Sequence, residues 1–424
     1  MNPRLSRLRA TVPDANCDFL GAADRIGAAL CRDALWSGKR CNWLGASMES
    51  LNGAWTTVHR AFGPELYSGT SGVALFLARL FSLTGAKPYL TAARGAVAQA
   101  LTRLDDISLD AHIGFYSGLT GIAYALHEVA EALDRPGYAT EALRILQSQS
   151  AEHPGGQGLD VISGSAGAIP VLLRFYRQSR QDFLLYLAIG HAEHLLSAAE
   201  RSDHGWSWNT LHTPVQANLT GFSHGAAGIG WALVEIFAET HEERFREAAQ
   251  QAFRYERHCF SAEHDNWPDF RSFNQSRADA NGTGFMMAWC HGAPGIGLSR
   301  LRAYRILGDP LLLEEAETAL RSTAKSLNNP SAGGSYSLCH GHSGNAELAI
   351  YAAQVLGTPE HGSLAAQVGR QGIEHYRTNR IPWPCGVLQG GETPGLMLGL
   401  AGIGYFYLRL HDPARVPSVL IVGP

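Results

Sequence analysis

Seven short turns of the pattern x-Gly-x-x-Gly punctuate this chain, and they restrict its fold more than any bulk property does. They read Ser68-Gly-Thr-Ser-Gly72, Ser117-Gly-Leu-Thr-Gly121, Ser163-Gly-Ser-Ala-Gly167, His224-Gly-Ala-Ala-Gly228, His291-Gly-Ala-Pro-Gly295, His340-Gly-His-Ser-Gly344 and Leu398-Gly-Leu-Ala-Gly402. Their first glycines stand at 69, 118, 164, 225, 292, 341 and 399, so successive intervals are 49, 46, 61, 67, 49 and 58 residues. A period in this range marks an array of supersecondary units that bury their apolar faces against one another.

A strongly apolar segment, expected to lack proline, follows each turn, as in Val73-Ala-Leu-Phe-Leu-Ala-Arg-Leu80 and Ile229-Gly-Trp-Ala-Leu-Val-Glu-Ile236. Helices apolar on nearly every side must be buried. Between them lie amphipathic stretches, Pro88 to Leu104, Gln181 to Glu200, Glu242 to Arg257, Pro310 to Leu327 and Gly362 to Tyr376, that suit outer helices with one wet face. The alternation predicts an all-α fold, an (α/α)7 toroid of seven inner and seven outer helices with the glycine-rich turns at the inner-helix N-termini. Glycine is useful there because backbones crowd where the inner helices start around a common axis. The widest intervals hold Trp206 to Thr220 and Asp265 to Gly284, predicted as loops or short hairpins over the same rim.

The residue opening each turn changes along the chain. It is serine in the first three copies and histidine in the next three, His224, His291 and His340, and cysteine precedes two of these as Cys290-His291 and Cys339-His340. If the repeats are related by rotation, these side chains converge on one opening. A catalytic zinc site takes three thiolate, imidazole or carboxylate ligands and leaves a fourth position open. One Cys-His turn supplies two ligands and a cysteine one repeat away supplies the third. A lone cysteine in an apolar helix start is ordinarily a small core residue, and Cys17, Cys31, Cys41, Cys259 and Cys385 are read that way. Two Cys-His-Gly sequences in adjacent repeats weaken that reading for Cys290 and Cys339. His224 is a candidate general acid or base, since imidazole titrates near neutrality; the plainer reading is a hydrogen-bonded histidine at a helix start. Asp160, four residues before Gly164, is its candidate partner or else a loop carboxylate. His291 and His342 rank behind His340 as ligands.

Together these motifs resemble the lanthionine synthetase C-like family. The resemblance rests on Asn218-Leu-Thr-Gly-Phe-Ser-His-Gly-Ala-Ala-Gly-Ile-Gly230, Trp289-Cys-His-Gly-Ala-Pro-Gly-Ile-Gly297, Leu338-Cys-His-Gly-His-Ser-Gly-Asn345 and Glu392-Thr-Pro-Gly-Leu-Met-Leu-Gly-Leu-Ala-Gly-Ile-Gly-Tyr405. Their wording is similar to the cyclase half of class II lanthipeptide synthetases. The resemblance implies one zinc ion on Cys290, Cys339 and His340, His224 as the acid/base, and Asp160 as its partner. It also implies an activity, addition of a substrate cysteine to dehydroalanine or dehydrobutyrine to make (methyl)lanthionine, and a partner, a dehydrated precursor peptide. Two positions depart from the family pattern: His291 stands where stand-alone members often have tyrosine, and Met286 and Met287 stand where some members have a basic residue. The resemblance runs from about residue 60 to the end, so residues 1–60 are expected to be an N-terminal helical segment packed on a toroid domain of residues 61–424. A dehydratase, separate or fused, is implied upstream.

Composition narrows the functional classes. With 424 residues, 45% hydrophobic and 17% charged, the chain can bury a large core. The formal net charge is -4 and its 34 Lys and Arg are scattered, which argues against a nucleic-acid partner. No signal peptide or membrane span is read, so membrane association is expected only through a biosynthetic complex. Seven singly spaced cysteines do not form a secreted disulfide framework, and a reducing cytoplasm is expected. Paired-helix toroids also serve glycoside hydrolases, which need facing carboxylates, and zinc prenyltransferases; no carboxylate pair stands at the turns, and sevenfold turns argue against the latter. Two competing activities fit the same motifs: addition of glutathione or another thiol to dehydrated residues, and peptide binding by a toroid without catalysis. Trp206, Trp208, Trp267, Asp269 and Arg271 are read first as loop packing and second as a peptide groove.

Overall fold

Every glycine turn opens a helix, and the seven helices stand side by side around one axis. The computed structural model describes residues 18–51, 54–149, 158–211, 217–271, 284–328 and 334–423. The helices that follow the turns are α2 (Thr70–Thr84), α4 (Leu119–Leu133), α6 (Ser165–Ser179), α8 (Ala226–Thr240), α10 (Ala293–Leu307), α12 (His342–Leu356) and α14 (Leu400–His411). The others are α1 (Phe19–Arg32), α3 (Lys87–Leu101), α5 (Pro136–Ser148), α7 (Asp182–Ser197), α9 (Glu243–Cys259), α11 (Pro310–Asn328) and α13 (Pro359–Gly372). Each inner helix packs on the next, and α14 returns to α2, which closes the ring. Outer helices α3, α5, α7, α9, α11 and α13 each pack on the inner helix before them in sequence. The seventh outer position, against α14, is taken by α1 from the other end of the chain.

The described residues between 35 and 61 form two antiparallel strand pairs, not further helix: β1 (Leu35–Ser37) with β2 (Arg40–Asn42), and β3 (Leu44–Leu51) with β4 (Ala54–Ala61). The wide intervals carry short antiparallel strand pairs: β5 (Glu200–Ser202) with β6 (Gly205–Ser207), mostly ahead of the expected Trp206 to Thr220, and β7 (Pro268–Asp269) with β8 (Gly284–Phe285), within the expected second segment and its end. One expectation fails locally, since Pro170 lies inside α6. Cys17 lies outside the described residues. Among the described residues no helix is long and apolar enough to cross a membrane.

The turns interlock through the backbone. The residue two places before each first glycine, or its neighbour, donates its N–H to the equivalent carbonyl of the next repeat. The bonds run Tyr67 to Tyr116 (2.9 Å), Tyr116 to Ile162 (2.9 Å), Val161 to Ser223 (3.0 Å), Ser223 to Cys290 (3.1 Å), Cys290 to Cys339 (3.2 Å), Cys339 to Met397 (2.9 Å) and Met397 back to Tyr67 (2.8 Å). This closed circuit satisfies buried polar groups that would otherwise cost free energy. The second glycine of each turn is required by close approach: a Cβ at Gly121 would stand 1.6 Å from the Phe115 carbonyl oxygen, and one at Gly295 1.9 Å from that of Trp289.

Below the rim, charge is buried in pairs. Glu256 of α9 is fully buried and accepts from the Gly221 N–H (2.8 Å), the Ala227 N–H (3.0 Å) and Arg300 Nη2 (3.0 Å). An outer-helix carboxylate thereby holds the turn that carries His224. Arg300, also fully buried, is shared with Glu315 at 2.5 Å. Removing one member of such a pair strands a charge, so Glu256→Ala is expected to lower stability by about 3–5 kcal/mol. Glu141→Ala, which removes a half-buried carboxylate paired with the exposed Arg144, is expected to cost under about 1 kcal/mol. Denaturant titration of both variants checks the contrast, and equal losses would contradict this account of the rim.

Candidate functional site

Because Cys290 and Cys339 occupy equivalent places in adjacent turns, the circuit sets them next to each other. Both are nearly buried, 8% and 6% exposed, and their thiols are hydrogen-bonded to one another. That bond, aided by one from the Tyr67 hydroxyl and by the charge of Arg271, holds Cys339 below the ordinary thiol range against the opposing effect of burial. The same hydrogen bond and burial push the Cys290 thiol well up. His340, next in sequence, has its Nε2 3.0 Å from the Gly386 carbonyl oxygen. An N–H there leaves the Nδ1 lone pair as the ligand atom, the arrangement in which a metal-binding imidazole is oriented by a carbonyl. Any side chain at Gly386 would crowd this ring, since a Cβ would lie 2.9 Å from Nε2.

Two soft sulfurs and an imidazole are a donor set suited to zinc. The three ligand atoms are not drawn together at metal-binding distance. Among the described residues, the three metal-capable groups whose ligand atoms all lie within 4.8 Å of one another are instead His127, Glu128 and Glu131 on α4. That cluster is spoken for electrostatically: Glu128 is fully buried between Arg79 and Arg174, and Glu131 pairs with His127 and Arg79.

Across the opening, His224 Nδ1 stands 2.5 Å from Asp160 Oδ2. The other carboxylate oxygen of Asp160 accepts from the Ser163 N–H (2.8 Å) and hydroxyl (3.2 Å). Asp160 is therefore fixed at both oxygens and buried, while the His224 side chain is 25% exposed and reachable. The structure thus brings the two sequence-derived partners into contact.

His291 does not join the cysteines as an open ligand. It is 1% exposed, and its ring centroid lies 5.8 Å from that of His224. Burial first, then the charge of Arg271, keeps it well below the ordinary histidine range and neutral. His342 begins α12 and packs edge-on to Tyr336. Its turn opens normally, whereas Gly292 of the Cys290 turn has φ 97°. There the first helical N–H, of Ala293, is taken by the Asn266 side chain at 2.9 Å; in the other six turns a carbonyl seven residues back takes it.

Sequence reasoning ranked loop packing first for five rim residues, and the structure divides them. Trp208 and Trp267 are core, their indole N–H groups donating to the Leu195 and Glu256 carbonyls. Trp206 packs under Arg201. Asp269 and Arg271 instead reach the site, where Arg271 grips Asp269 at 2.8 and 2.7 Å. Tyr67 and Gly386 were not singled out in the sequence. The signal for Tyr67 lay in its place two residues before a first glycine, the position Cys290 and Cys339 hold; nothing local marks Gly386.

The chain is similar to known proteins over most of its length. The family model described as "Lanthionine synthetase C-like protein" matches residues 61–421. The chain is 24% identical over 367 residues to the zebrafish (Danio rerio) protein named glutathione S-transferase LANCL1, covering 82% of each chain. It is 24% identical over 337 residues to the nisin biosynthesis protein NisC of Lactococcus lactis subsp. lactis, covering 73% of this chain and 79% of that one. The solved structure of nisin cyclase superposes with a TM-score of 0.61 at 18% identity, covering 86% of this chain and 93% of that chain, a likeness of fold. With seven turns, two concentric rings of helices and a family match over most of its length, this chain belongs to the lanthionine synthetase C-like family.

Proposed function

We infer that this chain is a zinc-dependent cyclase that adds a peptide cysteine to a dehydroalanine or dehydrobutyrine of the same peptide, closing a lanthionine or methyllanthionine thioether ring. The observation that carries this reading is the pairing of Cys290 with Cys339 beside His340, facing a His224–Asp160 pair across one opening. Cys290, Cys339 and His340 would hold one zinc ion. When bound, such an ion lowers the pKa of a thiol from about 8.5 so that thiolate is present at neutral pH.

The chain's own residues do the remainder. Attack of sulfur on the alkene carbon moves the π electrons toward the carbonyl and leaves an enolate, and a proton must reach its α-carbon. His224 is the donor. Asp160 holds Nδ1, which leaves Nε2 toward the opening, and stabilises the imidazolium before transfer. Because Asp160 is fixed by Ser163, the ring is oriented before substrate arrives. The dehydrated residues must be made beforehand by a dehydratase acting on serine or threonine, so the partner is a dehydrated precursor peptide. A reducing compartment such as the cytoplasm suits a reaction that consumes a free thiol.

The zebrafish relative's name supports a second thiol source, glutathione, and mass separates the two. The zinc-loaded chain is incubated with a peptide holding one cysteine and one dehydroalanine, with glutathione present. Ring closure removes the free thiol at unchanged mass, which is the expected result; a product heavier by one glutathione would favour transferase activity, and no product in the presence of bound zinc would leave a peptide-binding toroid. His224→Asn and Asp160→Asn are expected to slow ring closure by about 10²–10⁴-fold and keep their metal. Cys339→Ala is expected to lose zinc on metal analysis; full zinc retention there would exclude the ligand set.

A further inference from the structure

Addition of a thiolate to a dehydrated residue puts negative charge on a carbonyl oxygen, and the His224 imidazolium is committed to protonating the α-carbon, which leaves the oxygen to another donor. The segment entering the Cys290 turn, Gly284 to Trp289, contains no charged residue. The fold delivers one from a different place in the chain. Arg271 follows β7, and its Nη2 lies 3.3 Å from the sulfur of Met286, four residues before Cys290.

Its position is built. Arg271 grips Asp269 with a two-bond fork, Nε to Oδ1 at 2.8 Å and Nη2 to Oδ2 at 2.7 Å, and its own N–H donates to Oδ1 at 3.2 Å. The side chains are 13% and 1% exposed, so both partners are held away from bulk water. Asp269 Oδ1 lies 4.0 Å from Nδ1 of His291, and His291 lies against His224. The series Met286, Arg271, Asp269, His291, His224 therefore links the Cys290 turn to the proton donor through successive contacts. A guanidinium in a site with little water stabilises developing oxyanion charge far more than it would in solvent.

We propose that Arg271 is the catalytic cation of the addition, donating to the carbonyl oxygen of the dehydrated residue and holding the enolate, with Asp269 as its positioning residue. This rests on the thiol-addition reading. The sulfur electron pair forms the S–Cβ bond while the Cα–Cβ π pair passes to the carbonyl, giving an enolate against Arg271. Collapse of the enolate takes a proton from His224 to Cα. The proton lost by the substrate thiol returns to His224 through solvent, so no oxidant or reductant is consumed.

The test uses the full zinc-loaded chain and the peptide with one cysteine and one dehydroalanine. Arg271→Gln is compared with Arg271→Gln/Asp269→Asn, which removes both charges of the pair and so strands neither. Zinc content and melting temperature are measured alongside kcat and KM. The expected result is kcat lower by about 10²–10³-fold in both, with zinc content kept and KM little changed, and partial recovery when methylguanidinium is added, a recovery His224→Asn does not show. A double variant that keeps zinc and turns over at the parent kcat overturns the proposal. If the double variant fails to fold, Arg271→Lys decides: a point charge in place of a fork is expected to lower kcat by about tenfold or more with zinc retained, and parent kcat overturns the proposal. Failure of the parent chain itself to consume thiol would show instead that the thiol-addition reading is wrong, and this assignment falls with it.

Discussion

The circuit of seven backbone hydrogen bonds at the rim is the constraint on which the rest depends. It links the start of every inner helix to the next and returns from Met397 to Tyr67, so seven units far apart in sequence share one geometry. Each turn must bring its N–H and carbonyl to the axis, and the second glycine of each turn follows from that demand, since a carbonyl six residues earlier occupies the space where a side chain would begin. The side chains one residue on, toward each first glycine, are partly exposed in six of the turns, and His291 is buried. Placing chemistry on such a rim needs only a change of side chain, because the backbone is already held.

The candidate site uses three neighbouring members of the circuit. Ser223, Cys290 and Cys339 are consecutive in it, and His224 and His340 are attached to the first and third. Proximity of the two thiols is thus a property of the toroid, while their unequal ionisation comes from the hydrogen bond between them, the Tyr67 hydroxyl and the Arg271 charge. The Cys290 turn is the most altered of the seven, with its left-handed Gly292 and its Asn266 cap. The residues that reshape it, Asn266, Asp269 and Arg271, all come from the chain between α9 and α10, where the repeat is longest.

Much of the fold was legible because its signal is local and repeated. A first glycine is the N-cap of every inner helix, and apolar content on all faces marked those helices as buried. The outer helices were readable from their wet faces. What stayed hidden depends on contacts distant in sequence. No periodicity in Phe19–Arg32 says that α1 completes the outer ring against α14, and β1 and β2, with three residues each, are too short to show an alternating pattern. At the site, the pairing of His224 with Asp160 and the neighbouring of Cys290 with Cys339 followed from repeat equivalence. The carbonyl of Gly386 behind His340, and the approach of Arg271 to Met286, did not, because each joins a repeat to a loop whose path the turns do not dictate.

The central claim is a metal centre made of two sulfurs and one imidazole with room for a third sulfur. X-ray absorption at the zinc edge tests it most directly, on the purified full chain with and without a cysteine-containing peptide. The account predicts two sulfur neighbours and one imidazole in the free protein, with a third sulfur when the peptide is added. A zinc environment of oxygen and nitrogen only, or one that gains no sulfur from the peptide, would contradict it.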